Sequence, residues 1–155
     1  MTAQTTNLRD AARLGRDVSL ESEEPMATDS FDLLRTYVQL HDDGAGARVE
    51  VTPTFWQEVM AGKRPELAGG RLVGVFAYDG DWTSAEMHPA GDELVFALSG
   101  AVELVLQEAG GDRTIALEAG QGTLVPKGVW HTARVRTPGH VLHVTPGTGT
   151  QHRPL

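Results

Sequence analysis

The chain has no cysteine in its 155 residues. Disulfides, cysteine-bound zinc and iron–sulfur clusters are therefore excluded. Basic runs are missing too: 13 Lys and Arg stand against 21 Asp and Glu, for a formal net charge of -8 and a pI of about 5.1. A surface of that sign repels phosphate backbones and anionic bilayers, so neither nucleic acid nor membrane is an expected partner. No apolar run approaches the ~20 residues of a membrane span. The opening residues 1–10 also lack the apolar segment of a secretory signal. The expected compartment is the cytoplasm.

What the chain has in quantity is turn chemistry. It holds 18 Gly and 8 Pro while 40% of its residues are hydrophobic, a composition that suits a β-rich protein with many tight turns. Its length supports one domain with a real core and some tail. Residues 1–29 are polar and carry no sustained period, and Glu21, Glu23, Glu24 and Pro25 argue against a packed element. They are expected to form an N-terminal extension, partly disordered, with at most a short helix around Leu8–Leu14. Met26 is an alternative start. Residues 30–155 are expected to form the domain.

Within that domain, Leu33–Leu40 and Arg48–Val51 read as strands around the turn cluster His41, Asp42, Asp43 and Gly44. Thr52 and Pro53 predict the start of a short helix, as N-cap and first helical residue. Phe55, Trp56, Val59 and Met60 follow at helical spacing and should pack on the wall of the domain. Gly62 to Gly70 reads as loop and Arg71–Tyr78 as strand. Glu103–Gln107, Thr114–Leu117, Thr123–Val125, Thr132–Arg136 and Val141–Thr145 are further short strands divided by Gly and Pro turns. Such spacing predicts an all-β sandwich or barrel. The tail from Pro146 to Leu155 is expected to be irregular.

The stretch GDWTSAEMHPAGDELVFALSG, from Gly80 to Gly100, carries the chemistry. Glu86 and His88 stand at i and i+2, so in a strand they point to one face. A turn of Pro89, Ala90, Gly91 and Asp92 should fold the next strand back alongside, bringing Glu93 beside them. A second element runs from Gly120 through Pro126 and Gly128 to His131, which opens the strand after that turn.

Together these two elements resemble the paired motifs of the cupin superfamily. Gly80, Glu86, His88, Glu93 and Gly100 match G-x5-H-x-H-x4-E-x6-G, with Glu86 in place of the first histidine. Gly120, Pro126, Gly128 and His131 match G-x5-P-x-G-x2-H-x3-N, with Val135 at the asparagine position. The resemblance implies a double-stranded β-helix, or jelly-roll barrel, with a short helix and an irregular N-terminal extension. It also implies a divalent metal ion (Fe, Mn, Zn or Ni) held at the positions of Glu86, His88, Glu93 and His131. A carboxylate aimed into an apolar barrel is costly unless it is paired or binds a metal, and imidazole with carboxylate suits such ions. The competing reading makes His88 and His131 hydrogen-bonded core histidines and pairs Glu93 with an arginine. For Glu86 three roles stay open: metal ligand, catalytic acceptor of a substrate proton, or partner in a salt bridge.

His41 and His152 are expected in solvent. His140 and His143 alternate to opposite faces, so one of them can line the pocket, and Trp82, Trp130, Tyr78 and Phe96 can shape it or simply fill core. Arg134 and Arg136 should point outward. Two functions follow from the resemblance: a metal-dependent enzyme of dioxygenase or isomerase type acting on a small polar molecule, or a non-catalytic protein that binds or senses a small ligand. Cupins of this kind often pair through strands near the N-terminus, so a homodimer using Leu33–Leu40 is expected.

Overall fold

Alternating apolar and polar side chains, broken by Gly, Pro and Asp turns, produce eleven strands among residues 30–155, the part of the chain that a computed structural model describes. The expectations for residues 1–29, including the helix around Leu8–Leu14, lie outside the described residues. Phe31–Leu155 forms one unit. Its strands are β1 (Thr36–Leu40), β2 (Gly46–Glu50), β3 (Arg71–Tyr78), β4 (Ser84–Met87), β5 (Glu93–Ala97), β6 (Ala101–Glu108), β7 (Gly111–Glu118), β8 (Gly122–Val125), β9 (Trp130–Thr137), β10 (Gly139–Pro146) and β11 (Gln151–Pro154). One helix, α1 (Phe55–Met60), and a 3-10 turn at Pro65–Leu67 lie between β2 and β3. No helix among the described residues is long and apolar enough to cross a membrane.

All pairings are antiparallel. A six-stranded sheet has the order β2-β1-β3-β10-β5-β8, and a five-stranded sheet the order β11-β4-β9-β6-β7. Two such layers, each apolar on its inner face, bury a common core as a jelly roll does. Val95, Ala97, Leu104, Leu106 and Val141 are fully buried between them. Truncating either leucine to alanine is expected to cost ~2–5 kcal/mol. A smaller cluster of Tyr37, Val49, Phe55, Leu67 and Leu72 fixes α1 to the sheet containing β3. At Gly100 the backbone has φ 75, and a side chain there would meet the carbonyl oxygen of Thr137 at 2.5 Å. Only glycine fits both demands.

Several expectations change. The first strand starts at Thr36 rather than Leu33, because the Asp32 carbonyl accepts from the amides of Arg35 and Thr36 and closes a turn first. The helix starts at Phe55 rather than Pro53; Thr54 is its N-cap, and its hydroxyl donates to Glu58 Oε1 at 2.7 Å instead of capping the backbone. Met60 is not wall packing, being 68% exposed; Trp56 does pack on Tyr37 of β1 and Phe76 of β3, yet stays 42% exposed. The turn at Pro89–Asp92 does not fold β5 beside β4. It carries the chain from one sheet to the other, so Glu93 faces Glu86 across the barrel. The tail is not wholly irregular either, since β11 pairs with β4.

Candidate metal centre

Cross-strand register builds one side of the site. His152 lies opposite Glu86, Glu86 opposite His131, and His131 opposite Leu106, so these side chains form one row across β11, β4, β9 and β6. Directly opposed residues of antiparallel strands point to the same face. His88 follows β4 on that face. From the facing sheet, Glu93 opens β5, and His143 and Thr145 of β10 stand at i and i+2 beside it.

Glu86, His88, Glu93 and His131 each offer a donor atom, and these four atoms lie within 4.8 Å of one another. His131 Nε2 is 3.2 Å from Glu93 Oε2 and 3.4 Å from Glu86 Oε1. His88 Nε2 is 3.5 Å from Glu93 Oε2 and 3.8 Å from Glu86 Oε1. His88, Glu93 and His131 are almost wholly buried, and Glu86 is partly exposed.

The outer hydrogen bonds aim the inner atoms. The Thr150 hydroxyl donates to the carbonyl of Pro146, so it accepts from His88 Nδ1–H at 2.9 Å. His131 Nδ1–H donates to the carbonyl of Val129 at 3.1 Å. In the neutral rings this leaves both Nε2 lone pairs turned inward. Glu93 Oε1 accepts from the Thr145 hydroxyl at 2.5 Å and from His143 Nδ1–H at 3.2 Å, leaving Oε2 to face the cage. His143 Nε2 in turn accepts from the Tyr78 hydroxyl at 2.7 Å. Orienting bonds of this kind are what metal-binding imidazole and carboxylate groups ordinarily carry. His88 Nε2 is buried and has no hydrogen-bond partner. In the neutral ring that nitrogen would be left without a partner, which is costly, and a cation between the four groups removes that cost. The residues fit a divalent ion.

Burial raises the cost of charge throughout the site, yet mutual attraction prevails. Against burial, His131 and His88 hold Glu86 down to about 2. Burial likewise opposes charge on both imidazoles, but Glu86 and Glu93 hold His88 up to about 9 and His131 up to about 10. Glu93 sits well below the usual carboxylate range despite its burial, because His143, His131 and His88 surround it. Burial, then the charges of Glu93 and Glu86, push the Tyr78 phenol well up. It stays protonated and serves as a donor.

A cavity of about 860 Å³ opens on the cage. The sequence reading located Glu86, His88, Glu93 and His131, and the structure brings all four together. His143 is the inward member of its pair, while His140 points out and hydrogen-bonds Ser99. His152 is exposed, as expected, but its Nδ1 lies 3.8 Å from Glu86 Oε2, and it lines the cavity. Thr145 and Thr150 were missed. Thr145 shares a strand face with His143, which is a usable signal; Thr150 offers none. Glu93 pairs with no arginine among the described residues; its ion pairs are to His88, His131 and His143. Trp82 stacks on His143 with ring centres 6.2 Å apart. Arg134 and Arg136 point outward as expected, the latter paired with Glu103.

Residues 75–145 match the family model described as "Cupin domain". No curated protein matches the chain. Among solved structures, a cupin-2 domain containing protein from Shewanella frigidimarina NCIMB 400 is similar at 21% identity over 49% of this chain and 70% of that one, with a TM-score of 0.42. Hydroquinone 1,2-dioxygenase from Sphingomonas sp. TTNP3 is similar at 17% identity over 51% and 60%, with a TM-score of 0.43. Oxalate decarboxylase from Bacillus subtilis is similar at 19% identity over 55% and 23%, with a TM-score of 0.47. The chain thus spans 60% of the dioxygenase and 23% of the decarboxylase. Scores and identities this low carry no argument about activity.

Proposed function

The chain is a member of the cupin superfamily, and from that premise we propose that it holds one divalent metal ion through Glu86, His88, Glu93 and His131 and acts as a metal-dependent enzyme of dioxygenase or isomerase type on a small molecule. The observation that carries this reading is the convergence of four donor atoms, from Glu86, His88, Glu93 and His131, within 4.8 Å of one another, with the Nε2 of His88 buried and without a hydrogen bond. The adjoining cavity supports an enzyme over a scaffold, since an inert barrel has no need of open space beside its ligands.

When bound, the ion supplies a Lewis-acid centre and a template for substrate oxygen. The chain's own residues do the rest. Thr145 and His143 fix Glu93, Thr150 and the Val129 carbonyl fix the two imidazoles, and Tyr78 steadies His143. Glu86, partly exposed toward the cavity, is placed to take a proton from substrate when it is not engaged as a ligand. Fe, Mn, Zn and Ni all remain candidates, with hard ions favoured by two carboxylate oxygens. A cytoplasmic homodimer with residues 30–155 as its folded domain completes the proposal.

Elemental analysis of protein purified without a metal-affinity tag tests it, together with thermal unfolding. About one divalent ion per chain is expected, with a melting temperature that chelator lowers, because an ion bound to the native state stabilises it by mass action. No metal and no response to chelator would sink the metal reading.

A further inference from the structure

The walls of the cavity differ sharply from its floor. The floor is the cage, with His143 and His152 beside it. Leu72 and Phe76 of β3 rise above it, and Trp56, Val59 and Met60 of α1 form the rim. Trp56 belongs to an aromatic cluster, 5.0 Å from Phe55 and 5.6 Å from Phe76 between ring centres, yet remains 42% exposed. The rim is braced from behind: the Arg64 guanidinium covers the Phe55 ring at 4.8 Å and pairs with Glu58 at 3.3 Å. An apolar rim held in place by its own packing is a preformed binding surface.

Charge narrows the occupant further. Among the described residues, Arg153 is the one lysine or arginine lining the cavity, and it is stacked over Trp130 at 4.2 Å and hydrogen-bonded to Gln107. Asp79, Asp81, Glu86 and Glu93 also line the cavity. Two carboxylates formally cancel a divalent ion, so even the loaded cage adds no net positive charge. A molecule with several anionic groups finds no field to draw it in. On the side lined by Leu72 and Phe76, a second polar end would lie unpaired, which is costly.

We propose that the cavity binds a molecule with a flat apolar body and a single oxygen head, the head at the cage and the body against Phe76 and Trp56. The proposal rests on the metal-dependent reading of the same site and replaces the small polar molecule expected from the sequence.

Titration of the metal-loaded protein with 2-naphthol, naphthalene-2,6-disulfonate and oxalate, read by calorimetry, tests it. 2-Naphthol should bind with a Kd below about 1 mM, and the disulfonate, with the same body and two charges, should bind more weakly. Trp56→Ala should weaken 2-naphthol about three- to tenfold, the value of one aromatic contact, and leave oxalate unchanged. Met60→Ser, at a side chain 68% exposed, should weaken 2-naphthol in the same direction without risk to the fold. Oxalate or the disulfonate binding more tightly than 2-naphthol overturns the proposal, as does 2-naphthol binding that ignores both substitutions. Metal content, measured on the same samples, separates the two claims. Protein without metal that still binds 2-naphthol in a Trp56-dependent way upholds the cavity and removes the cage.

Discussion

Glu86 decides the charge of the cage. With it, a divalent ion meets two carboxylates and two neutral imidazoles; without it, one positive charge is left uncompensated. Glu86 is also the most exposed of the four candidate ligands, so water can fill its place, whereas His88 is buried and braced by Thr150. Glu86→Ala is therefore expected to weaken metal binding less than His88→Ala, in a competition titration of both variants against the parent. If Glu86→Ala binds every ion as tightly as the parent does, Glu86 is no ligand. The imidazoles add a pH dependence. With His88 held up to about 9 and His131 up to about 10, both carry a proton in the metal-free protein at neutral pH. Raised values mean that their pairing with the glutamates stabilises the metal-free fold fully below the ordinary histidine range and is lost as pH rises through 9 to 10. Metal needs the neutral rings, so binding at pH 7 should release about two protons. Calorimetry in buffers of different ionisation enthalpy reads that number, and release of none would contradict the charged pair. At this scale the sequence was informative because ligand identity and spacing are local. The bonds that aim each ligand are not local: Thr150 lies far along the chain from His88, and nothing in a lone threonine marks it.

Strands with clean alternation were legible to within a residue or two, as β3 and β10 illustrate. β11 was not, because Gln151–Pro154 is exposed throughout and holds no apolar alternation. Only its pairing with β4 orders it, and that pairing is what brings His152 to Glu86. The turn at Pro89–Asp92 failed for a different reason. The same turn residues serve a hairpin and a crossing between sheets, and the apolar faces on both sides choose between them. The connection from β10 to β11 is equally tight. A side chain on Gly147 would meet the carbonyl oxygen of Leu67 at 2.2 Å, while one on Gly110 would meet nothing. Gly147→Ala must therefore push this connection off the 3-10 turn, at a cost of ~1–3 kcal/mol. The melting temperature should fall by about 2–4 °C for each kcal/mol, and metal affinity should fall too, because Thr150 moves with the connection. Gly110→Ala should change neither. A Gly147→Ala protein that melts and binds metal like the parent would show that the connection adapts freely.

The outer face of the six-stranded sheet gives the molecule a second surface to account for. Register aligns Val38, Val73, Val144, Leu94 and Leu124 in one row across β1, β3, β10, β5 and β8. Their neighbours on the strands, such as Val141, Val95 and Val125, point into the core, so the row faces away from it. Leu124 is 58% exposed and Leu40, at the far side of the sheet, 42%. β1 is paired on both edges, by β2 and β3, so the Leu33–Leu40 segment cannot extend a sheet into a second copy. What it can offer is its outward face, as part of this row. A self-complementary apolar face is what a two-fold dimer buries, and a stable one needs about 800 Å² from each partner. We therefore expect a homodimer packed through this sheet face. Leu124→Glu puts a charge where a monomer tolerates it and a dimer interface does not, so this variant should run as a monomer while keeping its metal and its melting cooperativity. Light scattering at roughly 20 µM reads both states. A parent protein that is monomeric there, or a Leu124→Glu variant that stays dimeric, would remove this face from the interface.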